Sequence, residues 1–86
     1  MPSWDPDKRE ANLGKHGIDF VDAATVFDDP LARTIEQHHE GEDRSVTIGT
    51  DAAGKLLVVV HCLRDDEERI ISARKATGKE RRCYER

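Results

Sequence analysis

Apolar positions along the first thirty residues recur at helical spacing. Asp5-Pro6 carries start chemistry: an Asp side chain accepts an orphan N–H at the N-cap, and Pro at the next position loses nothing by lacking a donor. Gly17 follows Lys15-His16 and stops the run, so a helix is predicted over about Pro6 to His16. Its own apolar residues are few, Ala11 and Leu13, so its packing face borrows Trp4 before it and Ile18 after it. The polar positions Lys8, Asn12, Lys15 and His16 stand at i, i+3 and i+4 relations on that helix. Asp19 then caps a second short helix in which Phe20, Ala23, Ala24 and Phe27 repeat at i, i+3, i+4 and i+7, a core stripe that ends at Asp28-Asp29-Pro30.

After Pro30 the period becomes that of strands. Arg33 to His38, Arg44 to Gly49, Leu56 to Cys62 and Arg69 to Lys75 are strand-length runs, joined by loops at His39 to Glu42, Asp51 to Gly54 and Asp65 to Glu68. Leu56 to Val60 is apolar on both alternating faces and predicts a central strand, whereas Val46 and Ile48 alternate with Ser45 and Thr47 and predict a strand exposed on one face. Thr77-Gly78-Lys79-Glu80 matches a capping box and opens a terminal helix over Lys79 to Arg86. The expected architecture is α+β: two N-terminal helices, a four-stranded antiparallel meander with the helices on one face, and a C-terminal helix, forming a single domain over residues 1–86.

Composition narrows the picture. A chain of 86 residues buries only about 60% of the surface it exposes when unfolded, which allows one core and no second. With 37% of residues charged and only Trp4, Phe20, Phe27 and Tyr84 aromatic, burial falls mostly to Val, Ile and Leu. The longest apolar run, Leu56 to Val60, is strand-sized and the acidic N-terminus lacks a signal-peptide pattern, so a cytoplasmic protein with no membrane association is expected. Cys62 and Cys83 lie outside any CxxC spacing, and neither a disulfide, a metal site nor a cofactor is expected. Residues 1 to 68 carry seven Lys/Arg against sixteen Asp/Glu, while residues 69 to 86 carry seven against two. A basic end on an acidic protein suits a polyanion or an acidic partner, and it equally suits a solvated helix end.

Specific blocks go further than charge. Trp4-Asp5-Pro6-Asp7-Lys8 with Asn12, Lys15-His16-Gly17, and Phe20 with Ala23-Ala24 open a pattern that continues through Val26-Phe27-Asp28-Asp29-Pro30 and Gly41-Glu42-Asp43-Arg44 to Ile48-Gly49. Val58-Val59-Val60-His61 with Arg64 follows, then Arg69 to Thr77, Glu80-Arg81 and Tyr84. In this order the blocks resemble the BrnT toxins over nearly the whole chain. The resemblance implies the toxin half of a type II toxin–antitoxin pair, with a RelE-like fold and a ribonuclease activity that arrests translation. It also implies neutralisation by a BrnA-type, ribbon-helix-helix-like antitoxin, with DNA reached only through the antitoxin complex.

Metal-independent RNA cleavage needs a base for the 2′-OH, a cation for the phosphorane-like transition state and an acid for the leaving 5′ oxygen. Candidate catalytic residues are His61, Arg64, Arg74 and Glu80; candidate RNA contacts are Lys15, His16, Arg44, Arg81 and Tyr84. His61 ends the central strand with an imidazole suited to proton transfer, or is a half-buried strand histidine. Strict alternation puts Arg74 on the face of Ser72 and Ile70, away from Ile71 and Ala73, as a phosphate clamp or a salt-bridge partner of the acidic residues. Arg64 has the same two readings. Glu80 is the capping partner of Thr77 or a base, Lys15 and His16 complement a helix dipole or meet RNA, and Tyr84 stacks on a base or packs on the sheet. A non-catalytic module that acts by occupancy is the competing function.

Overall fold

The computed structural model describes residues 2–85, with His39 described in its backbone alone. A two-residue strand β1 (Ser3–Trp4) leads into α1 (Pro6–His16), α2 (Phe20–Ala23) and a 3-10 segment (Ala24–Asp28). Four strands follow, β2 (Arg33–His39), β3 (Glu42–Thr50), β4 (Leu56–Arg64) and β5 (Glu67–Lys75), and α3 (Gly78–Tyr84) comes last. The caps are those the residues dictate. Asp5 accepts the Asp7 N–H at 2.9 Å, Asp19 accepts the Val21 N–H at 3.0 Å, and Gly17 closes α1 at φ 71°. At α3 the Thr77 hydroxyl accepts the Glu80 N–H at 3.2 Å while the Glu80 carboxylate accepts the Thr77 N–H at 2.8 Å.

The strands run longer than predicted because their turns are shorter. Glu40-Gly41 and Asp65-Asp66 each hold two successive residues at positive φ (50° and 79°, 53° and 63°), the two-residue turn whose twist matches an antiparallel ladder. Pairing therefore extends to His39↔Glu42 and Arg64↔Glu67. The sheet has five strands rather than four, in the order β1-β5-β4-β3-β2, and is mixed rather than antiparallel, because β1 joins the edge of β5 in parallel through Ser3↔Arg69 and Trp4↔Ile70. Two residues carry no periodicity, so β1 has no sequence signal of its own. The expected central strand, β4, is central.

A bulge divides β5. Val60 pairs with Ser72 but the next residue, His61, pairs with Ile70, so Ile71 is the extra residue. The bulge resets the alternation: Ile70 and Ala73 both face the core, fully buried, and Arg74 shares its face with Ser72 but not with Ile70. Strict alternation over Arg69 to Lys75 fails at this residue alone.

One face of the sheet packs on α1, α2 and the 3-10 segment. Phe20, Ala23, Val26, Leu57, Val59, Ile70 and Ala73 form its fully buried centre, with Trp4 meeting Phe20 edge-to-face at 6.2 Å. Full burial of each large apolar side chain contributes roughly 1.5–3 kcal/mol. Val26 enters this core in place of the more exposed Phe27, because a 3-10 turn of three residues aligns Ala23 with Val26, where an α-helix would have aligned Ala23 with Phe27. The helices do not all share that face: α3 lies on the other, where Glu80 reaches Arg74. Among the described residues no helix is long and apolar enough to cross a membrane.

Candidate functional site

The second face of the sheet forms a lattice whose rows follow from the strand register. Arg33, Ile48, Val58 and Arg74 form one row across β2 to β5, and Ile35, Val46, Val60 and Ser72 form the next. The third row joins Gln37 to Arg44 and Cys62 to Arg69. Arginines thus frame an apolar floor. Among the described residues no set of three or more His, Cys, Asp or Glu side chains converges to hold a metal ion.

Helix α3 covers the first row. Arg74 donates from both terminal nitrogens to the two Glu80 oxygens, each at 2.8 Å, the fork-to-fork geometry of a guanidinium and a carboxylate. The Arg74 guanidinium holds the Glu80 carboxyl down to about 2, and Glu80 in turn raises Arg74 above its ordinary value. At the far end of α3 the Tyr84 hydroxyl donates to Asp29 at 2.5 Å. Asp29 also accepts from the Thr50 and Leu31 N–H groups at 2.9 Å, and these bonds, Tyr84 first, hold it at about 2. Pinned at both ends, α3 leaves beneath it a cleft of about 450 Å³ with Ile35, Val46, Ile48 and Val58 as its floor and Lys79, Cys83 and Tyr84 among its walls.

Asp19, held at about 2 by Arg9 and the Val21 N–H, completes a set of three depressed carboxyls with Asp29 and Glu80. A carboxyl whose pKa is lower in the folded state stabilises the fold above its unfolded value and ceases to as pH falls through the folded one. Melting temperature is therefore expected to fall between about pH 4.5 and pH 2, modestly for each site because all three are solvent-screened. A flat profile over that window would contradict these pairings.

The predicted site residues separate into groups. Arg74, Glu80 and Tyr84 come together at α3, and Arg44 lies on the same face two rows away. Arg81 is exposed on α3, and Arg64 is exposed at the hairpin end opposite Glu67. Lys15 and His16 lie around the edge of β5 from this face, in a shallow depression with Ile71 and Ser72. His61 is on the opposite face, 4% exposed, its ring perpendicular to Phe27 at 4.8 Å. Both its nitrogens are engaged, Nε2 with Thr47 Oγ1 and Nδ1 with Glu68, each at 2.7 Å, and Thr47 continues the chain to Thr34 at 2.7 Å. The thickness of the sheet separates this histidine from Arg74. Asp29 and Arg69 were not among the predicted residues. Asp29 read only as a helix stop, and Arg69 as the start of a strand.

The family model for the ribonuclease toxin BrnT of type II toxin–antitoxin systems matches residues 4–80. The chain belongs to the BrnT toxin family. Its fold is similar to the 1.1 Å crystal structure of the Brucella abortus ribonuclease toxin BrnT, with a TM-score of 0.70 and 26% sequence identity over 88% of this chain and 95% of that one. No curated protein matches the chain in sequence. The BrnT match ends at Glu80, so it includes Arg44, Arg69, Arg74 and Glu80 of the arginine-framed face and leaves out Tyr84. Membership in a toxin–antitoxin family implies an antitoxin partner for this BrnT chain.

Proposed function

We propose that this BrnT-family chain cleaves RNA without a metal ion, by attack of a 2′-OH on the adjacent phosphodiester, and thereby inhibits translation in the cytoplasm. The observation that carries the reading is the one-sided placement of Arg33, Arg44, Arg69 and Arg74 around an apolar floor beneath α3. Such a face offers charge for phosphates and flat apolar surface for bases, the two things a single-stranded polyanion needs. On this reading, which takes the activity to be RelE-like, Arg74 meets the scissile phosphate. As its guanidinium turns toward phosphate it releases Glu80, whose carboxylate then returns toward its ordinary basicity and accepts the 2′-OH proton while the 2′ oxygen bonds to phosphorus, the P–O5′ bond breaks and the leaving 5′ oxygen takes a proton from water. The Tyr84 ring offers a stacking surface at the cleft wall, Arg44 and Arg81 meet backbone phosphates, and His61 orders the sheet from behind.

A BrnA-type antitoxin is the expected inhibitor, covering this basic face with acidic and apolar groups and carrying the DNA-binding, ribbon-helix-helix-like part of the complex. Incubating the purified protein with labelled RNA in excess EDTA is expected to yield new ends bearing 2′,3′-cyclic phosphate. Intact RNA, with growth arrest undiminished in cells, would transfer the assignment to the second reading. That reading, a module that blocks translation by occupancy, is favoured by the closed Arg74–Glu80 pair and by the burial of His61 on the opposite face, which hold these two acid/base candidates away from a substrate on the arginine face.

A further inference from the structure

At the end of the sheet away from α3, two arginines face the same side without the partner that holds Arg74. Ser45 pairs with His61, so continuing the register by one residue sets Arg44 opposite Cys62, and Cys62 pairs on its other side with Arg69. The side chains share one face because their neighbours Ser45, His61 and Ile70 all belong to the other: Ser45 alternates with the buried Thr47, and His61 and Ile70 are buried against the helices. Two strand spacings separate the arginines, about 10 Å between their backbones, with the half-buried Cys62 as floor. Both reach inward from opposite sides of β4, a geometry that can close on one anion.

The unmet bonding is specific. Arg44 Nε and Arg69 Nε are the buried side-chain nitrogen and oxygen atoms that lack a hydrogen-bond partner among the described residues. A buried donor left unpaired is unfavourable, and a charged one more so. The acids nearby do not reach them. Glu42 touches Arg44 only at a terminal nitrogen, at a long 3.4 Å, and is itself exposed, while Glu67 stands opposite Arg64. By contrast, Arg9 Nε is bonded to Asp19 at 2.8 Å.

We propose that Arg44 and Arg69 form a second phosphate-binding site, which holds the backbone of an RNA strand at a distance from Arg74. The proposal rests on the reading that RNA lies on this face. The Cys62 row lies four residues along β4 from the Val58 row, about 13 Å, so a strand engaged at both sites runs along β4 for a few nucleotides with its bases over Val58 and Val60. The two guanidiniums would replace the long Glu42 contact with charge-assisted bonds to a phosphate group that accepts from several directions. Substrate length is then set by the protein: a fragment too short to span the rows loses one of its two anchors.

The site can be observed without catalysis. A short oligoribonucleotide with 2′-O-methyl riboses, which cannot be cut, is titrated into the 15N-labelled full chain while the arginine Nε–Hε resonances are followed. The Arg44 and Arg69 signals are expected to shift together and the Arg9 signal to stay. R44Q and R69Q, each checked for an unchanged melting transition, are expected to weaken binding roughly tenfold and to reduce the slope of log affinity against log salt by about 0.7 per lost contact. Lys55→Gln, which removes a positive charge from the exposed β3–β4 loop, controls for net charge and should change neither. Static Nε signals, or wild-type affinity in both variants, would overturn the proposal. Uncut natural RNA with the same shifts would instead overturn only the nuclease reading.

Discussion

Replacing Arg74 with alanine is expected to lower RNA cleavage by about 10²–10³-fold, the usual cost of removing one pre-positioned donor from a developing anionic charge. The fold should survive. Arg74 is 40% exposed and its pair with Glu80 is a surface ion pair, so its loss costs at most about 1 kcal/mol and a small drop in melting temperature. Arg74→Lys keeps the charge but not the planar fork that spans both Glu80 oxygens, and it should restore less than a tenth of the wild-type rate. Glu80→Gln separates the remaining roles, because Gln at this position still satisfies the Thr77 N–H and preserves the cap. Activity lost in that variant at constant stability reads the carboxylate as the base. An Arg74→Ala protein that cleaves within threefold of wild type would remove this residue from the site.

The largest expected effect on stability lies on the other side of the sheet. Asn12 is 6% exposed, and its amide nitrogen donates to the Ile18 and Ala73 carbonyls at 2.9 Å while its oxygen accepts the Ala73 N–H at 3.1 Å. Ala73 uses both backbone groups on the edge of β5 that no strand covers, since β1 ends opposite Ile70. The Asn12 side chain thus stands in for the missing strand. Asn12→Leu would leave three buried backbone groups unpaired, at about 1–3 kcal/mol each when no water can replace the partner. A loss of at least 3 kcal/mol is expected, lowering the melting temperature by roughly 15 °C in a domain of this size. Thermal unfolding followed by circular dichroism checks it, and a loss below 1 kcal/mol would show that the edge is satisfied in another way.

These residues also mark how far a linear reading reaches. The caps at Asp5, Asp19 and Thr77, the stop at Gly17 and the central position of β4 are all legible, because each depends on chemistry within one turn or on one strand's own hydrophobicity. Asn12 stands out as a polar residue on a helix poor in apolar ones, yet its role is invisible until β5 lies beside it. Arg74 and Glu80 are separately recognisable, while the pairing that sets the Glu80 carboxyl near 2 arises only when α3 folds back over the sheet. Arg69 escaped notice for a related reason: it occurs in a basic run with six other cations, and nothing in that run says which of them lie over an apolar floor. His61 shows the opposite case. Its position at the end of an apolar strand suits either catalysis or burial, and the contacts from Thr47, Glu68 and Phe27 come from three other elements that only the fold brings around it.

By itself the sequence determined the number and kind of the longer elements, their caps, the α+β class and, through blocks spread over the chain, membership in the BrnT family. Those properties are local, or are carried by residue identity. The tertiary structure alone decided that β1 pairs at the edge, that α3 crosses to the second face, and that the Ile71 bulge turns Ile70 inward and leaves Arg69 and Arg74 on the same side. The physical reason is the two-residue period of a strand: one extra residue exchanges its faces, and only pairing with a neighbour shows where that residue lies.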